Sequence, residues 1–341
     1  MSVQKRIEQA WYQGAAWTYC LFPLAIIFAF ITAIRRACYR WGILSSSKPP
    51  IPVIVVGNLS VGGNGKTPVV LALCEYLSSL NRKVGVLSRG YGGMQRQFPY
   101  CVSPKDSAEL VGDEPALMAR RVNCNVVIDP NRQRGADYLF QMGCDIIVCD
   151  DGLQHYALKR DIEWVVMDER LTGNGFLLPM GPLREGIGRL KSVDGVIVNG
   201  NANVAMDVAY VAHMSLHADQ IVNVGDPSLR MSVEEFKQRY SNVTAACAIG
   251  NPQRFYQTLS ALTVNVSQQK EFPDHHQFTP DDLPPSALIM TEKDAVKCAP
   301  FAHPDWWYLR VSASLPDSFY NRVKQLVSHA DANTVRKING I

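Results

Sequence analysis

Residues 51–67 read Ile-Pro-Val-Ile-Val-Val-Gly-Asn-Leu-Ser-Val-Gly-Gly-Asn-Gly-Lys-Thr, an apolar strand running straight into a glycine-rich turn that ends in Lys66-Thr67. Such a turn points backbone N–H groups inward at a phosphate, which requires residues that tolerate positive φ and close approach; Gly62, Gly63 and Gly65 supply them. Lys66 would lie along the β- and γ-phosphates and Thr67 would ligate a divalent cation, while the following helix aims its positive end at the anion. Ser60 stands where G-x-x-x-x-G-K-[ST] has its first glycine, so the loop is a variant, formed by Ser60, Val61, Gly62, Gly63, Asn64, Gly65, Lys66 and Thr67. A dinucleotide fingerprint fits worse, because Gly63-Asn64-Gly65 would need a further glycine where Pro68 stands; proline is tolerated in a first helical turn.

Around this loop the chain reads as alternating strands and helices, an α/β fold with a mostly parallel, P-loop-type sheet flanked by helices. Residues 66–80 carry Val69, Val70, Leu73 and Leu77 at helical spacing. Residues 84–87 form a strand opening into Ser88-Arg89-Gly90-Tyr91-Gly92-Gly93, at the end of a strand where open α/β sheets place ligands. Arg89 there either steadies phosphate or substrate, or is a solvated turn arginine. Gly112-Asp113-Glu114-Pro115 opens a helix over 116–121 with paired carboxylates, an arrangement that the helix dipole alone also favours. Residues 125–128 and 145–150 are strands, the second ending in Asp150-Asp151-Gly152. Apolar residues closed by Asp at a strand end suit a Walker B carboxylate holding Mg²⁺ directly or through water.

Residues 163–168 form a further strand before a Gly/Pro-rich loop that reaches Gly181-Pro182-Leu183-Arg184-Glu185. A loop of this length is usually functional or mobile, and Arg184 is its candidate for neutralising a transferring phosphoryl group. The strand over 193–199 completes a nucleotide-binding domain spanning 49–205, and alternation over 208–214 predicts paired strands at a hinge. A smaller α/β domain follows over 206–341, with strands at 245–250 and 286–290 and helices at 252–262 and 316–328. In it, Asp274-His275-His276 places a histidine beside an acid, and Thr291-Glu292-Lys293-Asp294 follows a strand; His213 and His217 read as surface or packing residues.

The formal charge of +3 and the lack of interleaved basic and aromatic residues give no nucleic-acid surface. Nine scattered cysteines without C-x-x-C read as reduced thiols of a cytosolic compartment. Residues 1–48 differ from the rest. Residues 21–34 are apolar except Thr32 and Pro23, are bracketed by Lys5, Arg6, Arg35, Arg36 and Arg40, and are flanked by Trp11, Tyr12, Trp17, Tyr19 and Trp41. The run falls short of the roughly 20 residues that span a bilayer. It reads as an interfacial helix or a marginal span before a polar linker at 45–50, with a buried core helix as the alternative. A cleaved signal peptide fits least, because no small-x-small site follows and arginines come directly after the apolar part.

Together, Ser60 to Pro68, Ser88-Arg89-Gly90-Tyr91-Gly92, Gly112-Asp113-Glu114-Pro115, Asp150-Asp151-Gly152-Leu153-Gln154-His155, Gly181 to Glu185, Asp274-His275 and Thr291 to Asp294 resemble the tetraacyldisaccharide 4'-kinase family over nearly the whole chain. The resemblance implies an ATP- and Mg²⁺-dependent kinase of lipid A biosynthesis, working at the cytoplasmic face of the bacterial inner membrane on an acylated disaccharide lipid, with no obligate protein partner. It also implies Asp113 as catalytic base with His275, from the second domain, as its partner. Glu114, Asp150, Asp151 and Thr67 would serve the metal, and Lys66 and Arg184 would balance phosphate charge. The competing readings are a GTPase-type switch and a membrane-tethered ATPase acting on a protein partner. The former wants [NT]-K-x-D, which neither Thr291-Glu292-Lys293-Asp294 nor Val198-Asn199-Gly200-Asn201 supplies.

Overall fold

The computed structural model describes residues 3–338. The chain gathers into two compact units that are interleaved in sequence: one made of Met1–Ser88, Asn131–Ser215 and Leu315–Ile341, the other of Arg89–Pro130 and Leu216–Ser314. This differs from the consecutive domains expected over 49–205 and 206–341. Residues 89–130, which follow the second strand in sequence, pack with the C-terminal elements: the Asp113–Arg121 helix is tied to the Glu292–Cys298 helix by a buried Arg121–Glu292 ion pair. Hydrophobic periodicity reports which face of an element is buried and not what buries it, so this assignment was hidden from the sequence.

In the first unit, Val53–Gly57 is a central strand, parallel to Ile146–Asp150 on one side and Ile162–Asp168 on the other. Val84–Ser88 extends the sheet beyond Ile146–Asp150, and Gly195–Asn199 followed by the start of Val211–Asn223 extends it beyond Ile162–Asp168, all in parallel. The chain order thus reverses across the central strand, the arrangement that opens a crevice at the strands' carboxyl ends. Every residue of the central strand is buried, as a parallel sheet covered on both faces demands.

The Lys66–Ser79 helix buries Val69, Val70, Leu73 and Leu77 as its spacing predicts, and Leu71, Ala72 and Cys74 as well. The C-terminal helix runs over Asp317–Ile338, ten residues beyond the expected end at 328, and sets Phe319, Val323 and Val327 along one buried face. Phe319 meets Trp164 at a ring distance of 4.9 Å.

The N-terminal segment belongs to this unit. Val3–Gln13 is a helix whose Trp11 is buried, its indole N–H donating to the Pro179 carbonyl at 2.9 Å. A short 3-10 turn, Ala16–Leu21, leads into the Phe22–Arg40 helix, which starts with Pro23 in its first turn. Phe22, Leu24, Ile26, Ile27, Phe30, Ile31 and Ile34 are exposed and only Ala25 is buried, so this is not a core helix. Residues 16–40 are long and apolar enough to cross a bilayer, by length and composition. Trp17, Tyr19 and Trp41 are exposed beside it, whereas Trp11 and Tyr12 are drawn into the fold. The side chain of Lys5 lies outside the described residues.

The second unit carries a parallel sheet of Val266–Glu271, Val243–Cys247, Leu288–Thr291 and Trp306–Ser314, in that order, with residues 216–223 of the long strand next along. Consecutive strand residues point to opposite faces. Trp307 accordingly joins Phe236, Phe255, Tyr256 and Leu259 on one side, and Trp306 joins Phe278, Leu288 and Met290 on the other. The alternation expected to give paired strands at 208–214 is one continuous strand, Val211–Asn223, parallel to Gly195–Asn199 and contributing to both units.

Candidate active site

The phosphate loop leaves the central strand through Asn58, Leu59 and Ser60, all buried. Gly62 and Gly65 have φ of +104° and +92°, while Gly63 does not take a positive φ. A side chain at Gly65 would also collide with the Asn199 amide, which donates to the Asn64 carbonyl at 3.3 Å. Ser60 has its own use for a side chain: its Oγ accepts from the Asn64 amide at 2.9 Å, bracing the loop where the common pattern has glycine. The Gly/Pro-rich loop braces it from outside, with Val61 N donating to the Pro182 carbonyl at 2.9 Å and Arg184 N to the Leu59 carbonyl at 2.6 Å.

Three expected site residues meet beside this loop. Lys66 Nζ lies 3.5 Å from Asp151 Oδ1, and Arg184 Nη1 lies 3.1 Å from Asp151 Oδ2. Burial pushes the Asp151 carboxyl up, but Lys66 and then Arg184 outweigh it and hold it below the ordinary carboxylate range. Asp150, one residue earlier, is buried at the end of its strand. Arg132, not anticipated from sequence, is buried with one guanidinium nitrogen donating to the Leu87 carbonyl and the other to the Asp150 carbonyl at 2.7 Å. It fastens together the carboxyl ends of two strands. Its position just after a strand end was the available signal. Gln154 donates to the Asn58 carbonyl at 3.1 Å.

In the second unit, Asp113 opens its helix after Gly112 and is 3% exposed. His275 Nδ1 stands 3.1 Å from Asp113 Oδ2; an ionised carboxylate can only accept, so Nδ1 carries the proton. His275 has a φ of +61°, an uncommon conformation for a residue with a Cβ, and the Tyr91 ring meets its imidazole edge-on at 5.4 Å. His276 turns elsewhere, to Asp282 Oδ2 at 3.3 Å and to the face of Phe272. Asp113 and His275 therefore share a unit rather than coming from separate domains. Burial raises the Asp113 carboxyl, but the His275 hydrogen bond, Lys297 and Lys293 together lower it below the ordinary value. Lys293 in turn pairs with Asp274 at 3.3 Å and Glu114 at 3.7 Å. Arg89 is exposed.

No group of three or more His, Cys, Asp or Glu side chains forms a metal cage among the described residues. Mg²⁺ rarely needs one, since it keeps waters and binds through one or two carboxylates plus substrate phosphates. Thr67, Asp150 and Asp151 are hard oxygen donors of that kind, gathered in the unit that holds the phosphate loop. Glu114 belongs to the other unit.

A parallel sheet whose central strand runs into a Gly-Lys-Thr loop, beside a strand closed by aspartates, defines the P-loop nucleotide-binding class. The family model for tetraacyldisaccharide-1-P 4'-kinase matches residues 17–328, and the chain belongs to that family. It is a kinase. A tetraacyldisaccharide 4'-kinase of Pseudoalteromonas atlantica is 49% identical over 299 residues, covering 87% of this chain and 96% of the relative. That of Tolumonas auensis is 46% identical over 323 residues, covering 93% and 96%. Among solved structures, LpxK from Aquifex aeolicus in complex with ATP superposes with a TM-score of 0.78 at 27% identity, covering 91% of this chain and 99% of the other.

Proposed function

We propose that this chain transfers the γ-phosphoryl group of ATP to the 4'-hydroxyl of a tetraacylated glucosamine disaccharide 1-phosphate, a step in making the lipid A precursor. The observation that carries this reading is the hydrogen bond between the buried Asp113 and the half-buried His275. A nucleotide switch has no need of a proton acceptor for a sugar hydroxyl. Phosphoryl transfer passes through a loose transition state, so orientation and charge neutralisation matter more than basicity. Asp113 orients the hydroxyl and receives its proton, and His275 fixes the carboxylate through Nδ1–H.

At the loop, the backbone of residues 60–67 cradles the phosphates while Lys66 and Arg184 neutralise charge building on the transferred group. Thr67, Asp150 and Asp151 would hold Mg²⁺ in that unit, and the ion would supply additional electrostatic stabilisation. A guanine-reading role for Thr291 to Asp294 is disfavoured: Asp294 is fully buried, and its Oδ2 accepts from the Ala248 N–H at 3.0 Å and the Thr291 hydroxyl at 2.6 Å.

The exposed apolar helix fits an acceptor held in a bilayer. It would sink among acyl chains while Arg35, Arg36 and Arg40 meet anionic headgroups, each worth on the order of 1 kcal/mol, at the cytoplasmic face of the inner membrane. The test is phosphate transfer from ATP to the acylated disaccharide 1-phosphate, with and without Mg²⁺ and beside a lipid-free control. Brisk ATP hydrolysis without lipid and no phosphorylated disaccharide would favour the tethered ATPase instead.

A further inference from the structure

Thr291 to Asp294 stands out in the sequence, and of its side chains only Lys293 has entered the description of the site above, as a cation acting on Asp113. In the structure it is a helix start. Thr291 Oγ1 accepts from Asp294 N at 3.2 Å and its hydroxyl donates to Asp294 Oδ2 at 2.6 Å, so the Glu292–Cys298 helix begins with its third residue locked. Asp294 Oδ2 also takes the Ala248 N–H, which pins the helix to the end of the Val243–Cys247 strand.

One turn further on, Lys297 projects from the same face. Its side chain is 1% exposed, a position lysine seldom occupies. Nζ lies 2.7 Å from Asp294 Oδ1, 4.9 Å above the Phe278 ring and 3.9 Å from Asp113 Oδ2. His275 Nδ1 addresses that same oxygen of Asp113 at 3.1 Å. One hydrogen-bond donor, His275, and one cation, Lys297, therefore lie on the side of a single oxygen, Oδ2, and Oδ1 is the oxygen turned to neither of them.

Resting on the reading of Asp113 as the base, we infer that Lys297 is a positioning residue for the transfer: anchored by Asp294, it holds Asp113 from its Oδ2 side so that Oδ1 faces the acceptor hydroxyl. A lysine present only to neutralise Asp294 would have no such effect on turnover.

The test uses full-length enzyme in detergent, assayed on the acylated disaccharide 1-phosphate. Lys297→Met is expected to lower kcat by ten- to a hundredfold with KM for ATP within about threefold, and Lys297→Arg to restore a large part of kcat. Because Lys297→Met leaves Asp294 buried and uncompensated, the pair Lys297→Met with Asp294→Asn is measured beside it, with thermal melts on each. In a background of Asp113→Asn, the lysine substitution should cost almost nothing more. Wild-type kcat in folded Lys297→Met, or in the folded Lys297→Met/Asp294→Asn pair, overturns the inference while Asp113→Asn still reports on the base. Full turnover in Asp113→Asn would instead remove the base itself, and the inference with it.

Discussion

Lys66 Nζ and Asp151 Oδ1 face each other across 3.5 Å at the mouth of the phosphate loop, and Arg184 closes on the other oxygen of the same carboxylate. The aspartate thus keeps two cations beside the place where phosphate charge would develop in the proposed transfer. Lys66→Ala removes the cation that follows the β- and γ-phosphates, and transfer should fall by at least a hundredfold with the melting temperature nearly unchanged. Ordinary turnover in that variant would refute the phosphate-loop assignment.

Asp113 and His275 make contact in the same unit, so substituting either should lower kcat by 10² to 10⁴-fold, the usual contribution of a positioned proton acceptor. KM for ATP should move little, because nucleotide binding belongs to the loop. An unchanged kcat in Asp113→Ala would reduce that residue to a helix-start carboxylate. The double variant should be little worse than the poorer single one; full additivity would mean that the two side chains act separately.

The depressed carboxyl of Asp113 also sets a pH dependence of stability. Burial raises its proton affinity, but His275, Lys297 and Lys293 lower it further than burial raises it, so the folded chain binds that proton less readily than the unfolded chain. The stabilisation is therefore complete above the unfolded value of about 3.9 and disappears as pH falls through the lower folded value. Urea midpoints measured from pH 6 downward should drop more steeply in wild type than in Asp113→Asn below about pH 4. Parallel curves would show that the cations around Asp113 do not favour its ionised form.

On the apolar Phe22–Arg40 helix, Ile27, Phe30 and Ile31 are exposed. Changing all of them to Ser should shift the protein from the membrane pellet toward the supernatant, while turnover of nucleotide by detergent-solubilised enzyme is preserved. Undiminished membrane recovery would place the contact on another surface.

The local grammar of the site was legible from residue order alone. A Val/Ile run before Gly-Asn-Gly-Lys-Thr could only be a buried strand feeding a phosphate loop, and the Ile146–Asp150 strand announced its terminal carboxylate in the same way. The choice of His275 over His276, by contrast, depended on a backbone turn at positive φ that aims neighbouring rings at different acids. Lys297 and Arg132 were missed because a lone cation ordinarily signals a solvated face, and only tertiary packing reveals that these are buried. The interleaving of the two units was equally silent, since residues 89–130 carry no composition shift that says which unit they join.

The indole of Trp11 and the Asn174 N–H that donates to the Trp11 carbonyl at 3.0 Å join the first helix to the very stretch whose far end is stitched to Leu59 and Val61. Amputating the first helix would therefore pull a peg out from under the nucleotide cradle, whatever it does to membrane recovery. A shortened protein with a weakened grip on ATP is the natural outcome of that carpentry, and any loss of membrane recovery should be separable from it only by point changes on the outward side of the Phe22–Arg40 helix.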